Sequence, residues 1–286
     1  MITLPLTNFT QFLYTIVQMR PIAIPPYINQ LYELNPFDEA VIKKVNLLYK
    51  DLQNDQPLIS IVIPAYNEEE NIPQTLLSLC NNKTKWPFEI IVVNNNSNDR
   101  TEELVISSGI KCILETKQGI TTARNTGLAN AKGKYILNAD ADTIYPIDWI
   151  EQMASPLINN NSIAAVYGRF SFIPISKTGR FVYFFYEYMA DFMRWINKTF
   201  RDEAMNAYGF NSGFRKEQGL AVDGFNHPPG TNEDGWMALK LREKGFGKLH
   251  YVTNISALVW TTDRRIQIDG GLLKGTIKRI KRMIGL

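Results

Sequence analysis

The chain has 286 residues, 45% of them hydrophobic and 21% charged, and a formal net charge of +3. This composition is typical of a globular protein with a substantial core, and the small net charge does not indicate a nucleic-acid partner. The first twenty residues lack the pattern of a signal peptide, and no apolar run is long enough to span a membrane. The two cysteines, Cys80 and Cys112, have no metal-ligand spacing, so we expect a cytoplasmic protein with reduced thiols.

Residues 1–56 are predicted to form an N-terminal helical extension. Asn35 followed by Pro36 predicts the start of a helix with Asn35 as its cap. Apolar residues then follow at helical spacing: Val41, Val45, Leu48 and Leu52. One face of this helix is therefore expected to pack on the main body. Upstream, three prolines are expected to interrupt regular structure: Pro21, Pro25 and Pro26.

From residue 57 onwards, apolar runs alternate with helical patterns. The runs 58–63, 88–93, 110–114 and 135–137 have the composition of buried strands, and helical patterns lie between them. This alternation predicts an α/β fold with a doubly wound, mostly parallel sheet. Parallel strands bring the loops at their carboxyl ends to one edge of the sheet, so we expect the functional site there.

Two carboxylates, Asp140 and Asp142, directly follow the last of these runs. Carboxylates spaced in this way can hold one hard divalent cation, although aspartate is also a common turn former. A nucleotide could lie at the same edge, with Tyr66 beside its base and Asn95 or Asp99 at the base edge. Arg124 could then contact its phosphates. These residues alone leave both the metal site and the plain turn open.

Several segments, in this order and spacing, resemble family-2 glycosyltransferases with the GT-A fold. They are residues 64–68, 92–101, 119–127, 140–142, 209–215, 222–225 and 233–242. The resemblance implies a Rossmann-like GT-A domain over residues 57–270, with a nucleotide-binding half at 57–143 and an acceptor half at 144–270. Residues 271–286 would then form a basic amphipathic C-terminal tail.

The resemblance also implies roles for single residues. The donor nucleotide sugar would contact Ala65, Tyr66, Glu68, Asn95, Arg124, Asp140 and Asp142. Asp142, with Asp140, would hold Mn²⁺ or Mg²⁺, and Asp234 matches the family's catalytic base in an inverting single displacement. Asn95 stands where many members have an aspartate that contacts uracil, so a UDP-sugar is expected but the base stays open.

On the acceptor side the resemblance is less specific. Acceptor contacts are expected from Asn211, Glu233 and Trp236, and phosphate contacts from Arg264 and Arg265. Acids at 233 and 234 are also what a helix N-terminus favours, and the two arginines also fit a solvated strand end. His250 is a candidate third metal ligand, but a lone histidine in a strand-like run is more often structural.

Two apolar segments have competing interpretations. The aromatic-rich run 181–195 is best explained as a core helix, with an acceptor groove or a membrane-facing surface as the alternative. The tail 272–286 combines helically spaced apolar residues with several cations, which suits either a membrane interface or docking on the domain. A peripheral position on the inner face of the cell membrane therefore stays open.

The sequence favours a metal-dependent glycosyltransferase that moves a sugar from a nucleotide-diphosphate sugar to a hydroxyl of a saccharide or a lipid-linked acceptor. Transfer to a polyprenyl phosphate is an alternative, because that acceptor is already ionised. A non-catalytic module that binds sugar or nucleotide is a second alternative. The presence of Asp140, Asp142 and Asp234 together favours the enzyme.

Overall fold

The computed structural model of the protein describes residues 19–272 and residue 274. The strands in chain order are β1 (Ile59–Ala65), β2 (Phe88–Asn94), β3 (Lys111–Leu114), β4 (Tyr135–Asn138), β5 (Thr143–Ile144), β6 (Ile163–Tyr167), β7 (Phe170–Ile173), β8 (Ser212–Arg215), β9 (Lys248–Tyr251) and β10 (Val259–Thr262). The α-helices are α1 (Pro26–Tyr32), α2 (Glu39–Leu52), α3 (Ile72–Cys80), α4 (Thr101–Ser107), α5 (Ile120–Asn130), α6 (Trp149–Asn159), α7 (Arg180–Phe200), α8 (Lys216–Ala221), α9 (Glu233–Glu243) and α10 (Arg264–Ile268).

A seven-stranded sheet in the order β3-β2-β1-β4-β8-β6-β9 forms the central layer. The first four strands are mutually parallel, β8 runs antiparallel to both of its neighbours, and β6 and β9 are parallel to each other. All seven residues of β1 are buried, as expected for a central strand covered by helices on both faces. The predicted α/β fold with a mostly parallel sheet is thus confirmed, and the four predicted strands agree within two residues.

The predicted functional site lies at the edge of the sheet where β1, β2 and β4 end. Because these three strands are parallel neighbours, the loops after Ala65, Asn94 and Asn138 come together. A small second sheet, β5-β10-β7, lies beyond them. Its strand β10 leads directly into α10, which brings a late part of the chain back to the same region.

The N-terminal extension packs on the domain, but two of its predicted boundaries are wrong. The cap of α2 is Asp38, whose side chain accepts from the Ala40 amide, whereas Asn35 closes a separate turn by accepting from the Phe37 amide. Pro26 begins α1 instead of interrupting regular structure, because the first helical position needs no N–H. The prediction that α2 packs through one face is confirmed by its buried residues: Val41, Ile42, Val45 and Tyr49.

Parts of both ends were predicted but lie outside the described residues. These are residues 1–18 of the extension and, apart from residues 271, 272 and 274, the tail 271–286. The predicted basic amphipathic tail therefore stays a prediction. Within the described residues, no helix combines the length and the apolar composition needed to cross a bilayer.

The aromatic-rich run forms α7, but the prediction of a core helix is wrong for three of its aromatic residues, Phe181, Phe185 and Phe192, which are exposed. The buried face of α7 is largely polar and includes Glu187, Asp191 and Arg194. The physical reason is that the charged residues of α7 find buried partners of opposite charge, which the periodicity of one segment cannot show.

Asp191 is the centre of this buried charge cluster. Its carboxylate accepts hydrogen bonds from Arg20 at 2.8 and 2.9 Å, from Arg169 at 3.1 Å and from Arg194 at 2.6 Å. Burial acts to raise the pKa of Asp191, but these guanidinium groups hold the pKa well below its usual range. The cluster ties the N-terminal extension, through Arg20, to α7.

We expect Asp191→Asn to lower the free energy of unfolding by about 3 kcal/mol, because it leaves buried guanidinium groups without their counter-charge. Chemical denaturation at pH 7 measures this loss. Since the folded-state pKa of Asp191 is lowered, its contribution is present above about pH 4 and is lost as the pH falls further.

Asp51→Asn, on an exposed position of α2, is the control and should stay within about 0.5 kcal/mol of the wild type. Equal stabilities for the two variants would contradict the role given to the cluster.

Candidate active site

The loops after β1 and β2 are tied together by backbone-to-side-chain hydrogen bonds. The Glu68 amide donates to the Thr101 hydroxyl at 2.8 Å, and the Glu69 amide donates to the Asp99 carboxylate at 3.1 Å. These contacts fix the first loop at the sheet edge. Ala65 lies buried at its base, and the Tyr66 ring is 47% exposed, which leaves a ring face available to a ligand.

Asn95 lies at the same edge, as predicted, but its amide group is engaged within the fold. Its side-chain nitrogen donates to the carbonyls of Glu115 and Lys117 at 3.2 and 2.9 Å, and its oxygen accepts from the Gly119 amide at 2.8 Å. The side chain therefore shapes the loop between β3 and α5. Direct contact of Asn95 with a nucleotide base remains a prediction.

Hydrogen bonds to Tyr145 and Thr75 fix the turn that carries Asp140 and Asp142. The Asp140 amide donates to the Tyr145 hydroxyl at 2.9 Å, and that hydroxyl donates to the Phe210 carbonyl at 3.1 Å. The Thr75 hydroxyl bonds the Ala141 carbonyl at 2.8 Å. Both carboxylates consequently have defined positions at the end of β4.

Arg124 joins Asp140 to Asp234. This arginine lies in α5 and is 1% exposed. Its Nη2 atom donates to Asp140 Oδ1 at 2.8 Å, and its Nε atom lies 3.4 Å from Asp234 Oδ1. The structure thus brings the residue predicted as catalytic base, which is distant in sequence, to the guanidinium that also holds the first carboxylate of the predicted metal site.

Arg264 makes a second bridge of the same kind. Its Nη2 atom lies 2.6 Å from Glu68 Oε1 and 2.9 Å from Asp142 Oδ2. It is the first residue of α10, and its side chain is 40% exposed. Arg265 is exposed, and of the pair only Arg264 has a described contact with these carboxylates.

The carboxylates around Asp142 have the character of a cation site. The pKa of Asp142 is raised to about 6, first by burial and then by the charges of Asp140 and Glu68, against the opposing effect of Arg264. The described residues contain no group of three or more His, Cys, Asp or Glu side chains that could hold a metal by themselves. One or two carboxylates completed by substrate phosphates are, however, a usual set of Mg²⁺ ligands. Asp140 and Asp142 therefore fit an ion that is shared with a diphosphate.

Asp234 has the environment of a base that works near neutral pH. It lies in the first turn of α9, whose cap Asn232 accepts from the Gly235 amide at 2.8 Å. The pKa of Asp234 is raised to about 7 by burial; Arg124 opposes this rise, while Glu233 and Asp140 add to it. A carboxylate with such a pKa can accept a proton at physiological pH.

The predicted acceptor residues separate into two groups. Glu233 and Trp236 are half-buried on either side of Asp234 at the start of α9. Asn211 is buried, and its amide accepts from the Trp149 indole at 2.8 Å and donates to the carbonyls of Arg169 and Ala257. These bonds engage both polar atoms of the Asn211 side chain within the fold, and direct contact of this residue with an acceptor remains a prediction.

His250 lies on β9, at the other edge of the sheet from β3. Its pKa is lowered by burial and by the charges of Lys248 and Lys198. Its charged neighbours are thus different from those of Asp140 and Asp142, and the structure favours the structural interpretation of this histidine.

Gly209 is a residue of the site that the sequence did not single out. A Cβ atom at this position would lie 1.9 Å from Arg124 Nη2 and 2.6 Å from Asp234 Oδ2. The absence of a side chain is thus what lets the arginine and the carboxylate meet. Its position in one of the matching segments, residues 209–215, is the only sequence signal that pointed to it.

Two of the solved structures that share this fold are complexes with Mn²⁺. One is the mannosyltransferase PcManGT from Pyrobaculum calidifontis in complex with GDP-Man and Mn²⁺, with a TM-score of 0.54 and 21% identity over 85% of this chain and 74% of that one. The other is the glucosyl-3-phosphoglycerate synthase from Mycobacterium tuberculosis in complex with Mn²⁺, UDP and phosphoglyceric acid, with a TM-score of 0.54 and 19% identity over 80% of this chain and 77% of that one. The fold is therefore that of the GT-A glycosyltransferases.

The chain belongs to glycosyl transferase family 2, whose model matches residues 60–218. It is also 33% identical over 133 residues to the Escherichia coli UDP-Glc:alpha-D-GlcNAc-diphosphoundecaprenol beta-1,3-glucosyltransferase WfgD. This match covers 45% of the chain and 52% of WfgD, so the chain spans about half the length of this relative. The chain thus carries a family-2 glycosyltransferase domain, and the predicted resemblance and enzyme class are confirmed.

We expect Gly209→Ala to lower kcat/KM for sugar transfer about a hundredfold, because the new methyl group displaces Arg124 from between Asp140 and Asp234. Steady-state kinetics on the full chain measures this, with circular dichroism to confirm folding.

The matched control is Gly179→Ala, where an added Cβ meets no described atom within 4 Å. Wild-type activity in Gly209→Ala, with the control also unaffected, would show that the close approach at this glycine has no functional role.

Proposed function

We propose that the protein transfers a sugar from a nucleotide-diphosphate sugar, in particular a UDP-sugar, to a hydroxyl of a saccharide or a lipid-linked acceptor, with inversion at the anomeric carbon. The observation that carries this proposal is the convergence of Asp140, Asp142 and Asp234 on one edge of the sheet, each paired with an arginine. The name of WfgD, with UDP-Glc and a lipid-linked acceptor, supports the same class of donor and acceptor.

The proposed donor site combines an exposed ring for the base with more buried carboxylates for the ribose and the metal. The exposed Tyr66 ring offers a stacking surface for a base, and Glu68 lies beside it for the ribose. Asp142 and Asp140 would hold Mn²⁺ or Mg²⁺, which supplies neutralisation of the charge that develops on the diphosphate leaving group. Both solved neighbours contain Mn²⁺ and a nucleotide or nucleotide sugar, which supports this assignment.

Arg264 is proposed to exchange partners when the donor binds. Its guanidinium pairs with Glu68 and Asp142, and its charge opposes the rise of the Asp142 pKa that burial and the neighbouring carboxylates cause. Because its side chain is partly exposed, the guanidinium can turn towards phosphate oxygens without leaving a cavity. The two carboxylates are then available to ribose and metal.

On the acceptor side, Asp234 is proposed as the base. It takes the proton of the acceptor hydroxyl as the hydroxyl oxygen forms its bond to the anomeric carbon. The bond from that carbon to the diphosphate breaks in the same step, and the electron pair leaves with the diphosphate oxygen. The Arg124 guanidinium lies 3.4 Å from the Asp234 carboxylate and opposes the rise of its pKa, while Glu233 raises that pKa towards neutrality.

The variant Arg264→Gln tests the partner exchange. We expect it to weaken binding of UDP in the presence of Mn²⁺ by about 10- to 100-fold, the effect of losing one charged hydrogen-bond donor. Isothermal titration calorimetry measures the dissociation constant directly.

Arg265→Gln is the control, because this neighbour is exposed and has no described contact with the carboxylates; we expect a change of less than about threefold. Equal losses in both variants would reject a specific phosphate role for Arg264.

The variant Asp234→Asn tests the base. We expect transfer to a hydroxyl acceptor to fall by about 10²- to 10⁴-fold while the affinity for UDP with Mn²⁺ changes little. Retained turnover on a hydroxyl acceptor would reject the assignment. Loss on a hydroxyl acceptor together with retained transfer to a polyprenyl phosphate would instead identify the latter as the substrate.

Glu233→Gln is the companion variant, since it leaves Asp234 in place but removes a charge that raises the pKa of Asp234. The acid limb of the kcat/KM profile should therefore move to lower pH. An unchanged acid limb would show that Asp234 does not set the pH dependence.

A further inference from the structure

The exposed face of α7 is a continuous apolar stripe. Phe181, Phe185 and Met189 are 62%, 55% and 58% exposed and follow one another at intervals of four residues. Side chains at this spacing lie above one another on one side of a helix. Phe192, 38% exposed, extends the stripe by nearly one further turn. Among the charged residues of α7, the three in its middle are buried: Glu187, Asp191 and Arg194.

The rotation of α7 that exposes these rings is fixed by buried charges. Asp191 is held by three arginines, and Glu187 accepts from Arg180 at 2.8 and 2.9 Å and from the Phe172 amide at 2.7 Å. Rotating the helix to bury the rings would break all of these bonds and leave arginines without partners. The fold thus holds the rings of Phe181 and Phe185 on the solvent side of the helix.

Further exposed apolar side chains adjoin α7. Met19 and Ile22, 78% and 57% exposed, flank Arg20, whose amide donates to the Tyr188 hydroxyl at 3.2 Å. Two segments, residues 19–22 and α7, therefore present exposed apolar side chains near each other, and surfaces of this kind mark binding sites.

Positive charges stand at both ends of the stripe. Lys177 precedes α7 and Arg201 follows it, and both are exposed. An apolar aromatic stripe with cationic ends matches the boundary between acyl chains and anionic headgroups of a lipid bilayer.

We propose that the exposed face of α7 docks on the surface of an anionic lipid membrane, with the rings of Phe181 and Phe185 at the boundary between headgroups and acyl chains. Lys177 and Arg201 then contact lipid phosphates. This docking is independent of the transfer chemistry proposed above.

The charges disfavour two other occupants of the stripe. A second copy packed antiparallel through α7 would bring Lys177 of one copy near Arg201 of the other, and like charges in contact oppose association. Residues 1–18 of the same chain contain no Asp, Glu, Lys or Arg, so this segment would leave the cations at the ends of the stripe unmatched.

Flotation with lipid vesicles tests the proposal on the full chain. The vesicles contain phosphatidylcholine and phosphatidylglycerol at about 7:3. We expect the wild type to float with them and the triple variant Phe181→Ser, Phe185→Ser, Met189→Ser to bind at least about tenfold more weakly.

The matched control is the triple variant Leu47→Ser, Ile106→Ser, Leu220→Ser. It removes three apolar side chains that are 65%, 59% and 48% exposed and lie on other helices. We expect the control to bind the vesicles as the wild type does.

A fluorophore provides a second measurement that does not depend on a destabilising variant. Met189→Cys is labelled with an environment-sensitive dye in a Cys112→Ser background, since Cys80 is buried and its thiol pKa is raised to about 12. Addition of the same vesicles should shift the emission to shorter wavelength.

Any one of several results would overturn the proposal. These are absence of wild-type flotation, equal flotation of the stripe variant and the wild type, and an unchanged emission of the label. Flotation that begins only after deletion of residues 1–18 would show that this segment covers the stripe. A wild-type dimer that the stripe variant dissociates, without a change in flotation, would identify a second copy as the partner.

Discussion

The pairing of two arginines with four carboxylates at one edge of the sheet is the interaction on which the site depends. Arg124 joins Asp140 to Asp234, and a second arginine joins Glu68 to Asp142. Burial raises the pKa values of Asp142 and Asp234. The guanidinium groups hold the carboxylates close together and oppose this rise, and a bound Mn²⁺ or Mg²⁺ would do the same on the donor side. The loops of β1, β2 and β4, the N-terminus of α9 and the glycine at 209 all serve to hold this array.

Buried pairs of arginine and carboxylate occur a second time in the molecule, where their role is structural. Three buried arginines bind the Asp191 carboxylate, and these pairs fix the orientation of α7. The inner face of α7 is therefore polar and its outer face aromatic. Charge pairing in the interior thus determines what the protein presents at its surface, and it connects the N-terminal extension to the half of the domain that is expected to receive the acceptor.

The sequence predicted the parts of the structure that depend on local pattern. Alternating strands and helices, the position of Asp140 and Asp142 at a strand end, and the family followed from neighbouring residues. What escaped prediction depends on partners distant in the chain. Nothing local distinguishes Arg264, which reaches the carboxylates, from Arg265, which is exposed. The aromatic-rich run of α7 was predicted to be a core helix, but Arg20 and Arg169, which bind its buried Asp191, come from other segments. The side-chain amide of Asn211 likewise forms hydrogen bonds with Trp149, Arg169 and Ala257, which are distant in the chain and could not be predicted from the motif.

A crystal structure of the chain with UDP and Mn²⁺ would test the account most directly. We predict that the diphosphate and the metal bind at the carboxyl ends of β1 and β4, with Asp142 as a metal ligand. Arg264 should have left Asp142 for the phosphate oxygens, while Arg124 still joins Asp140 and Asp234. A nucleotide bound at another edge, or Arg264 still paired with Asp142 beside a bound diphosphate, would contradict the account.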